Sequence, residues 1–327
     1  TNKSPSFFTS ALRASSKLLL ATVLLAASTF SHADDKKHFT MAWSIYAGWM
    51  PWPYAVQSGI LKKWADKYGI EIDVVQVNDY VESINQYTAG GFDGCVMTNM
   101  DALTIPAAGG VDSTAMIIGD YSNGNDGVVL KGKSDLKDIK GQPVNLVELS
   151  VSHYLLARAL ETQGMSEKDI KIVNTSDADI VSAYATKDVT AAVTWNPMLS
   201  EVVKQPDSHL VFDSSKIPGE ILDLMVVKTD KLKAHPELGK ALAGAWYDVM
   251  YTMSGNDAKA KEARTAMAKA SGTDLAGYEA QLNATKMFYN PVDALSQVQD
   301  PHLKLTMQLV AEFSLQHGLL GESAPSA

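Results

Sequence analysis

Cysteine and arginine are scarce in this sequence, and no apolar stretch is long enough to cross a bilayer. A single cysteine, Cys95, stands among 327 residues, which excludes an internal disulfide and any cysteine-rich metal centre. Of the three arginines, Arg13 lies in a leader-like segment, leaving Arg158 and Arg264 for the rest of the chain. A guanidinium fork for an oxyanion therefore has few sources. The longest apolar run falls short of the ~20 residues a membrane span requires. Catalytic signatures are missing too: there is no G-x-S-x-G, Walker A or H-E-x-x-H, and the seven histidines are scattered singly. No repeat is found, and low complexity is confined to the Gly/Ser/Ala/Pro tail from Gly321.

Residues 1–33 read as a cleaved secretory signal. Lys3, Arg13 and Lys17 form a basic start, Leu18 to Ala27 an apolar centre, and Ser31-His32-Ala33 a small-x-small cleavage site. The first residue is Thr1, so the translated start is expected to be upstream or altered. Formal charge is −9 for the whole chain and −12 without the leader, which argues against nucleic acid or an anionic membrane as partner. Cys95 is far from the cleavage site, so no lipid anchor is expected. The expectation is a freely diffusing, monomeric periplasmic protein without cofactor or metal.

What is abundant is aromatic and acidic. Trp43, Tyr46, Trp49, Trp52 and Tyr54 fall in one short run broken by Gly48, Pro51 and Pro53. Rings in a loop at a strand end read as a ligand platform. Around them, strand and helix patterns alternate. Strands are expected at 39–46, 72–77, 94–98, 114–120, 128–130, 144–147, 170–173, 190–194 and 224–227. Helices are expected at 54–68, 81–88, 152–163, 178–186, 238–253 and 301–317. Such alternation implies α/β halves with mainly parallel sheets. The order predicts two lobes with two hinge crossings: lobe 1 from 34–128 and 227–327, lobe 2 from 129–226. In that clamshell the ligand sits between strand ends of both lobes.

Those strand ends carry Tyr46, Trp49 and Trp52; Thr98, Asn99 and Asp101; Glu148, Ser150, Ser152 and His153; Trp195 and Asn196; Glu220 and Asp223. Trp43 lies inside a strand pattern and reads as core. Glu148 ends an apolar strand, where a carboxylate without a task is costly. Asp101 reads equally as a helix-start charge, Trp195 as a lobe-packing ring, and Asp223 as a hinge carboxylate. Ser150 and Ser152 precede a helix, so they read as caps or as part of an anion seat. His153 reads as a packed or surface histidine and Cys95 as an inert buried thiol.

Three segments carry a family resemblance: Gly48-Trp-Met-Pro-Trp-Pro-Tyr-Ala-Val-Gln-Ser-Gly59, Phe92-Asp-Gly-Cys-Val-Met-Thr-Asn-Met-Asp101 and Ala191-Ala-Val-Thr-Trp-Asn-Pro197. Together they resemble the periplasmic solute-binding proteins of ABC transporters in the nitrate, sulfonate and taurine-type (thiamine-pyrimidine-synthase-like) group. Val147-Glu-Leu-Ser-Val-Ser-His-Tyr154 and Leu222-Asp-Leu-Met-Val226 are similar to its urea-carboxylase-associated branch. The resemblance implies a periplasmic binding protein type II clamshell, a small-molecule ligand and ABC permease subunits as partners. Family contacts then map to Tyr46, Trp49, Trp52, Asn99, Asp101, Glu148, Ser152 and Trp195. Rings and acids at these places point to guanidine or a urea-like solute, with a sulfonate, taurine or nitrate-type anion as the alternative. An enzyme on the same fold, of the pyrimidine-synthase kind, is a further alternative that the export signal and missing histidine cluster disfavour.

Overall fold

The computed structural model describes residues 37–322 and 324–327; the expected signal at 1–33 lies outside them. Among the described residues, eleven strands run in chain order. They are β1 (Lys37–Trp43), β2 (Ile70–Gln76), β3 (Gly94–Thr98), β4 (Ser113–Ser122), β5 (Asp126–Lys131), β6 (Pro143–Leu146), β7 (Lys171–Asn174), β8 (Ala191–Trp195), β9 (Ser208–Asp213), β10 (Leu222–Lys228) and β11 (Thr285–Met287). They form a six-stranded sheet of order β11-β4-β10-β3-β1-β2 and a five-stranded sheet of order β7-β6-β8-β5-β9. Within the first, β1 runs parallel to β2 and β3, while β10 is antiparallel to β3 and β4. Within the second, β6 is parallel to β7 and β8, and β5 is antiparallel to β8 and β9.

Composition explains which strands are central. All five residues of β3 and all five of β8 are buried, as continuous apolar runs covered on both faces should be. The edge strands β9 and β11 escaped the sequence reading because β9 is half exposed and β11 is three residues long. Asp79 caps the helix α1 (Tyr80–Thr88), its carboxylate accepting from the Glu82 amide at 2.8 Å. Ser150 caps α2 (Val151–Glu161) by accepting from Ser152 N at 3.1 Å. The single helix expected at 54–68 is two, Pro51–Gln57 and Ile60–Lys67, parted by Gly59 at φ +78°. Val56, in the first of the two, is half exposed.

The chain changes sheets twice, at 123–125 and at 214–221. The expected boundaries at 128/129 and 226/227 therefore need correction, because they fall inside β5 and β10, each of which stays hydrogen-bonded to one sheet along its length. Both crossings are tied down by buried polar side chains. Asn125 Nδ2 donates to the Tyr46 hydroxyl at 3.3 Å and also bonds Thr285, while Asn125 Oδ1 accepts from Asn196 Nδ2 at 2.7 Å. Asn99 Nδ2 donates to the Glu220 carbonyl at 2.9 Å, and Asn99 Oδ1 accepts from the Leu222 amide at 2.9 Å.

Close packing behind the first sheet rests on Gly244, in the helix Pro236–Ser254: a Cβ there would lie 2.2 Å from Trp64 Cε3. Gly244→Ala is expected to destabilise the fold by about 1–3 kcal/mol, the usual cost of forcing extra volume into a packed core. A urea midpoint equal to that of the wild type would contradict this packing.

Candidate functional site

The ends of strands from both sheets meet around an enclosed chamber. Its wall is made by Tyr46 and Trp49 after β1, Tyr80 after β2, Thr98 at the end of β3, and Val151 at the start of α2. Trp195 at the end of β8, with Asp126 and Asp223 at the starts of β5 and β10, completes it. The chamber holds about 210 Å³ of empty space, of which about 10 Å³ is open to the centre of a water-sized sphere. A single water occupies on the order of 10–15 Å³ by that measure, so the chamber as it stands has room for about one water molecule.

Four rings form a continuous aromatic wall. Tyr46 meets Trp49 edge-on at 5.0 Å between centroids, Trp49 lies 5.7 Å from Tyr80, and Tyr80 meets Trp195 edge-on at 5.2 Å. The last contact joins the halves, as do Trp195 Nε1 donating to the Ile45 carbonyl at 3.2 Å and Ala47 N donating to the Asn196 carbonyl at 3.1 Å. The turn at 47–49 requires glycine: a Cβ on Gly48 would lie 2.4 Å from Asp120 Oδ2 and 2.6 Å from Tyr46 Cε1.

The wall carries two buried acids, Asp126 and Asp223, with Asp101 and Asp120 buried beside it, and none of the chamber's lining residues is basic. Asp101 is well served, its Oδ2 accepting from the Tyr80 hydroxyl at 2.5 Å and the Thr98 hydroxyl at 2.8 Å. Its Oδ1 accepts from the Val151 amide at 3.2 Å. Burial raises it to about 6 against these lowering hydrogen bonds. Asp126 accepts from the Ser122 hydroxyl at 2.6 Å. Burial, reinforced by the nearby Asp223 charge, raises it to about 8.

Asp120 and Asp223 are opposed across the β4–β10 ladder, an arrangement that is destabilising when both are charged. Asp120 Oδ1 accepts from the Tyr46 hydroxyl at 3.1 Å, whereas Asp120 Oδ2 and Asp223 Oδ2 find no donor among protein groups. One proton between the two carboxyls satisfies both oxygens. Burial raises both groups, Asp120 to about 7 and Asp223 well above the ordinary range, where the Asp120 charge adds to the effect. The pair as a whole therefore holds on to a proton more strongly than two separate carboxyls would. Among the described residues no group of three or more His, Cys, Asp or Glu side chains is placed to hold a metal ion.

Of the residues singled out from the sequence, Tyr46, Trp49, Trp195 and Asp223 line the chamber, and Asp101 stands directly behind Tyr80 and Thr98. Trp43 is buried in the core. Trp52 is not at the chamber: it is buried and packs on Trp246, with centroids 5.0 Å apart, because it enters a helix rather than the loop its prolines suggested. Asn99 spends both ends of its amide on the second crossing. Glu148 is exposed and lines an outer cleft with Asp79, Glu82 and Ser176, since β6 ends at Leu146 and a turn carries it outward. Ser152 is buried at the second position of α2, its hydroxyl without a partner. The helix start proposed as an anion seat is occupied by the Asp101 carboxylate at Val151 N. Glu220 is paired with Arg158 at 2.9 Å, away from the chamber. Burial pushes the Cys95 thiol up to about 12, consistent with an inert residue.

Sequence reasoning passed over Tyr80, Asp120 and Asp126. Asp120 ends the apolar run Met116-Ile-Ile-Gly-Asp, the same signal that drew attention to Glu148. Asp126 was hidden in a turn-rich stretch, and Tyr80 looked like an ordinary helix-start residue.

The raised carboxyls make stability depend on pH. Each of Asp101, Asp120 and Asp126 holds its proton in the fold up to about 6, 7 and 8, against 3.8 when unperturbed. The stabilisation is therefore full below pH ~4 and is lost as pH rises through these values, by up to roughly 1.4 kcal/mol per pH unit for each proton. The thermal midpoint of the unliganded protein is expected to fall between pH 5.5 and pH 8.5, and Asp223→Asn, which removes one acid of the opposed pair, should flatten that fall. A midpoint that rises over this range would contradict the assignment.

Known proteins place this geometry. The structure aligns with the alkanesulfonate-binding protein of Xanthomonas axonopodis pv. citri at a TM-score of 0.73 and 16% identity, covering 89% of this chain and 97% of that one. The periplasmic nitrate-binding protein of Synechocystis PCC 6803 aligns at a TM-score of 0.65 and 13% identity, covering 89% and 84%. These likenesses establish a mixed α/β periplasmic binding protein fold. In sequence, 124 residues are 31% identical to the taurine-binding periplasmic protein of Escherichia coli (strain K12), covering 37% of this chain and 38% of that protein. The chain matches 38% to 42% of the length of these curated relatives. A family model matches residues 43–270, and the chain belongs to the NMT1-like family.

Proposed function

We propose that this protein is the periplasmic receptor of an ABC importer, without catalytic activity of its own, and that it captures a small planar nitrogen compound, guanidinium being the form that fits best. The observation that carries this reading is a cluster of buried carboxyls walled by four rings, with no basic side chain among the lining residues. Guanidinium offers a flat face to indole and phenol rings, a contact of roughly 0.5–2 kcal/mol. Its edges carry donors that match carboxylates. A charged ligand would also neutralise acids that otherwise keep their protons in this wall, so its binding must release protons.

A sulfonate, as the name of the Escherichia coli relative suggests, would bring its negative charge among Asp126, Asp223 and Asp120 without a cation to meet it, and the nearest helix start is already engaged by Asp101. A second reading, urea, is favoured by one feature: Trp49 Nε1 is buried with no acceptor, and a carbonyl oxygen would supply one. Urea carries donors for the carboxyls but no charge, so it would bind without releasing protons.

Calorimetric titration with guanidinium, urea, taurine and nitrate separates these readings. Guanidinium is expected to bind, with affinity rising from pH 6 to pH 8 as the acids with values of about 7 and 8 become easier to ionise. Asp223→Asn should weaken it at least about tenfold, as loss of a buried charged partner does. Binding of taurine or nitrate with no response to guanidinium or urea would overturn the proposal.

A further inference from the structure

The halves also touch at the outer edge of the cleft. Asp79 and Tyr80 follow β2 of the first sheet, and Ser176 and Asp177 follow β7 of the second. Asp79 Oδ2 accepts from the Ser176 hydroxyl at 2.6 Å, and the Tyr80 amide donates to Asp177 Oδ1 at 3.0 Å. Asp177 is buried, at 4% exposure, so this charge-assisted bond to a helix-start amide is shielded from water and strengthened accordingly. Asp79 and Ser176 line the outer cleft, whereas Tyr80 lines the inner chamber. The contact therefore separates the two spaces.

Tyr80 faces both ways. Its hydroxyl donates to Asp101 at 2.5 Å and accepts from the Thr98 amide at 2.9 Å, and its ring packs against Trp49 and Trp195. A ring that lines the chamber and a backbone tether to the opposite half thus belong to one residue. Moving the ring to let a solute pass strains the tether, and breaking the tether frees the ring.

We propose that the Tyr80–Asp177 and Asp79–Ser176 bonds form an outer clasp that holds the cleft shut and sets how long a bound solute stays, with Asp177 the positioning residue that fixes Tyr80. The clasp deepens the receptor reading above and takes from it the choice of guanidinium as probe.

Two measurements on the full described chain test it. Hydrogen exchange at the Tyr80 amide needs no ligand: it should be protected in the wild type and quicken about tenfold or more in Asp177→Ala, with the Val151 amide unchanged. Asp177→Asn, whose side-chain oxygen can still accept from the Tyr80 amide, should restore protection and shows that the fold survives substitution there. Stopped-flow tryptophan fluorescence, reported by Trp49 and Trp195, should show guanidinium released about tenfold or more faster from Asp177→Ala, with the association rate altered far less. Unchanged exchange at Tyr80, or unchanged release despite faster exchange, overturns the clasp. If guanidinium fails to bind the wild type, the ligand assignment fails and the exchange measurement alone decides the clasp.

Discussion

The organising constraint is the burial of several aspartates around one small space without a basic side chain among its walls. Buried carboxylates are ordinarily paired with a cation, bonded to several donors, or protonated. Asp101 takes the second course, held by two hydroxyls and the start of α2. Asp120 and Asp223 take the third, opposed across two strands and sharing what one proton can satisfy. Asp126 relies on one serine hydroxyl and is raised to about 8. Such an arrangement gives up stability at neutral pH. Groups arranged against stability are characteristic of functional sites.

The fold delivers this constraint economically. Every wall residue sits at a strand end or the first turn beyond one, so two rigid sheets hold the side chains and the turns between need little independent stability. The crossings at 123–125 and 214–221 carry their own buried polar ties through Asn125, Asn99 and Ser214. Asn125 bonds the Tyr46 hydroxyl, which in turn donates to Asp120, so the crossing at 123–125 and the chamber share one hydrogen-bond network.

Much of this was legible in the sequence, and the failures have physical causes. Alternating periodicity marked most strands and located the strand ends, because central strands buried on both faces cannot hide their apolar runs. The edge strands β9 and β11 carry no such run. Trp49 and Trp52 looked alike from sequence, being separated by two residues around Pro51, but proline at the start of a helix is compatible with continuation, and the helix turns Trp52 inward onto Trp246. Glu148 and Asp120 presented the same signal, a carboxylate ending an apolar strand. Only the sheet pairing decides between them, because Asp120 continues within a strand flanked by β10 and β11 whereas Glu148 lies beyond the end of β6. Tyr80 could not have been found, since its role comes from contacts with both halves that no local pattern encodes. Arg158 is engaged with Glu220 and Glu161, Arg264 with Glu279, and neither is among the residues that line the chamber.

The central claim, that the chamber's aspartates keep their protons until a cationic ligand takes their place, is tested most directly by carbon-13 NMR titration of the aspartate side-chain carboxyls with and without guanidinium. The account predicts Asp120 and Asp126 titrating near 7 and 8 in the free protein, and both moving to lower pH when guanidinium is present. Carboxyls that all titrate below about 5 in the free protein, or that do not respond to guanidinium, would contradict it.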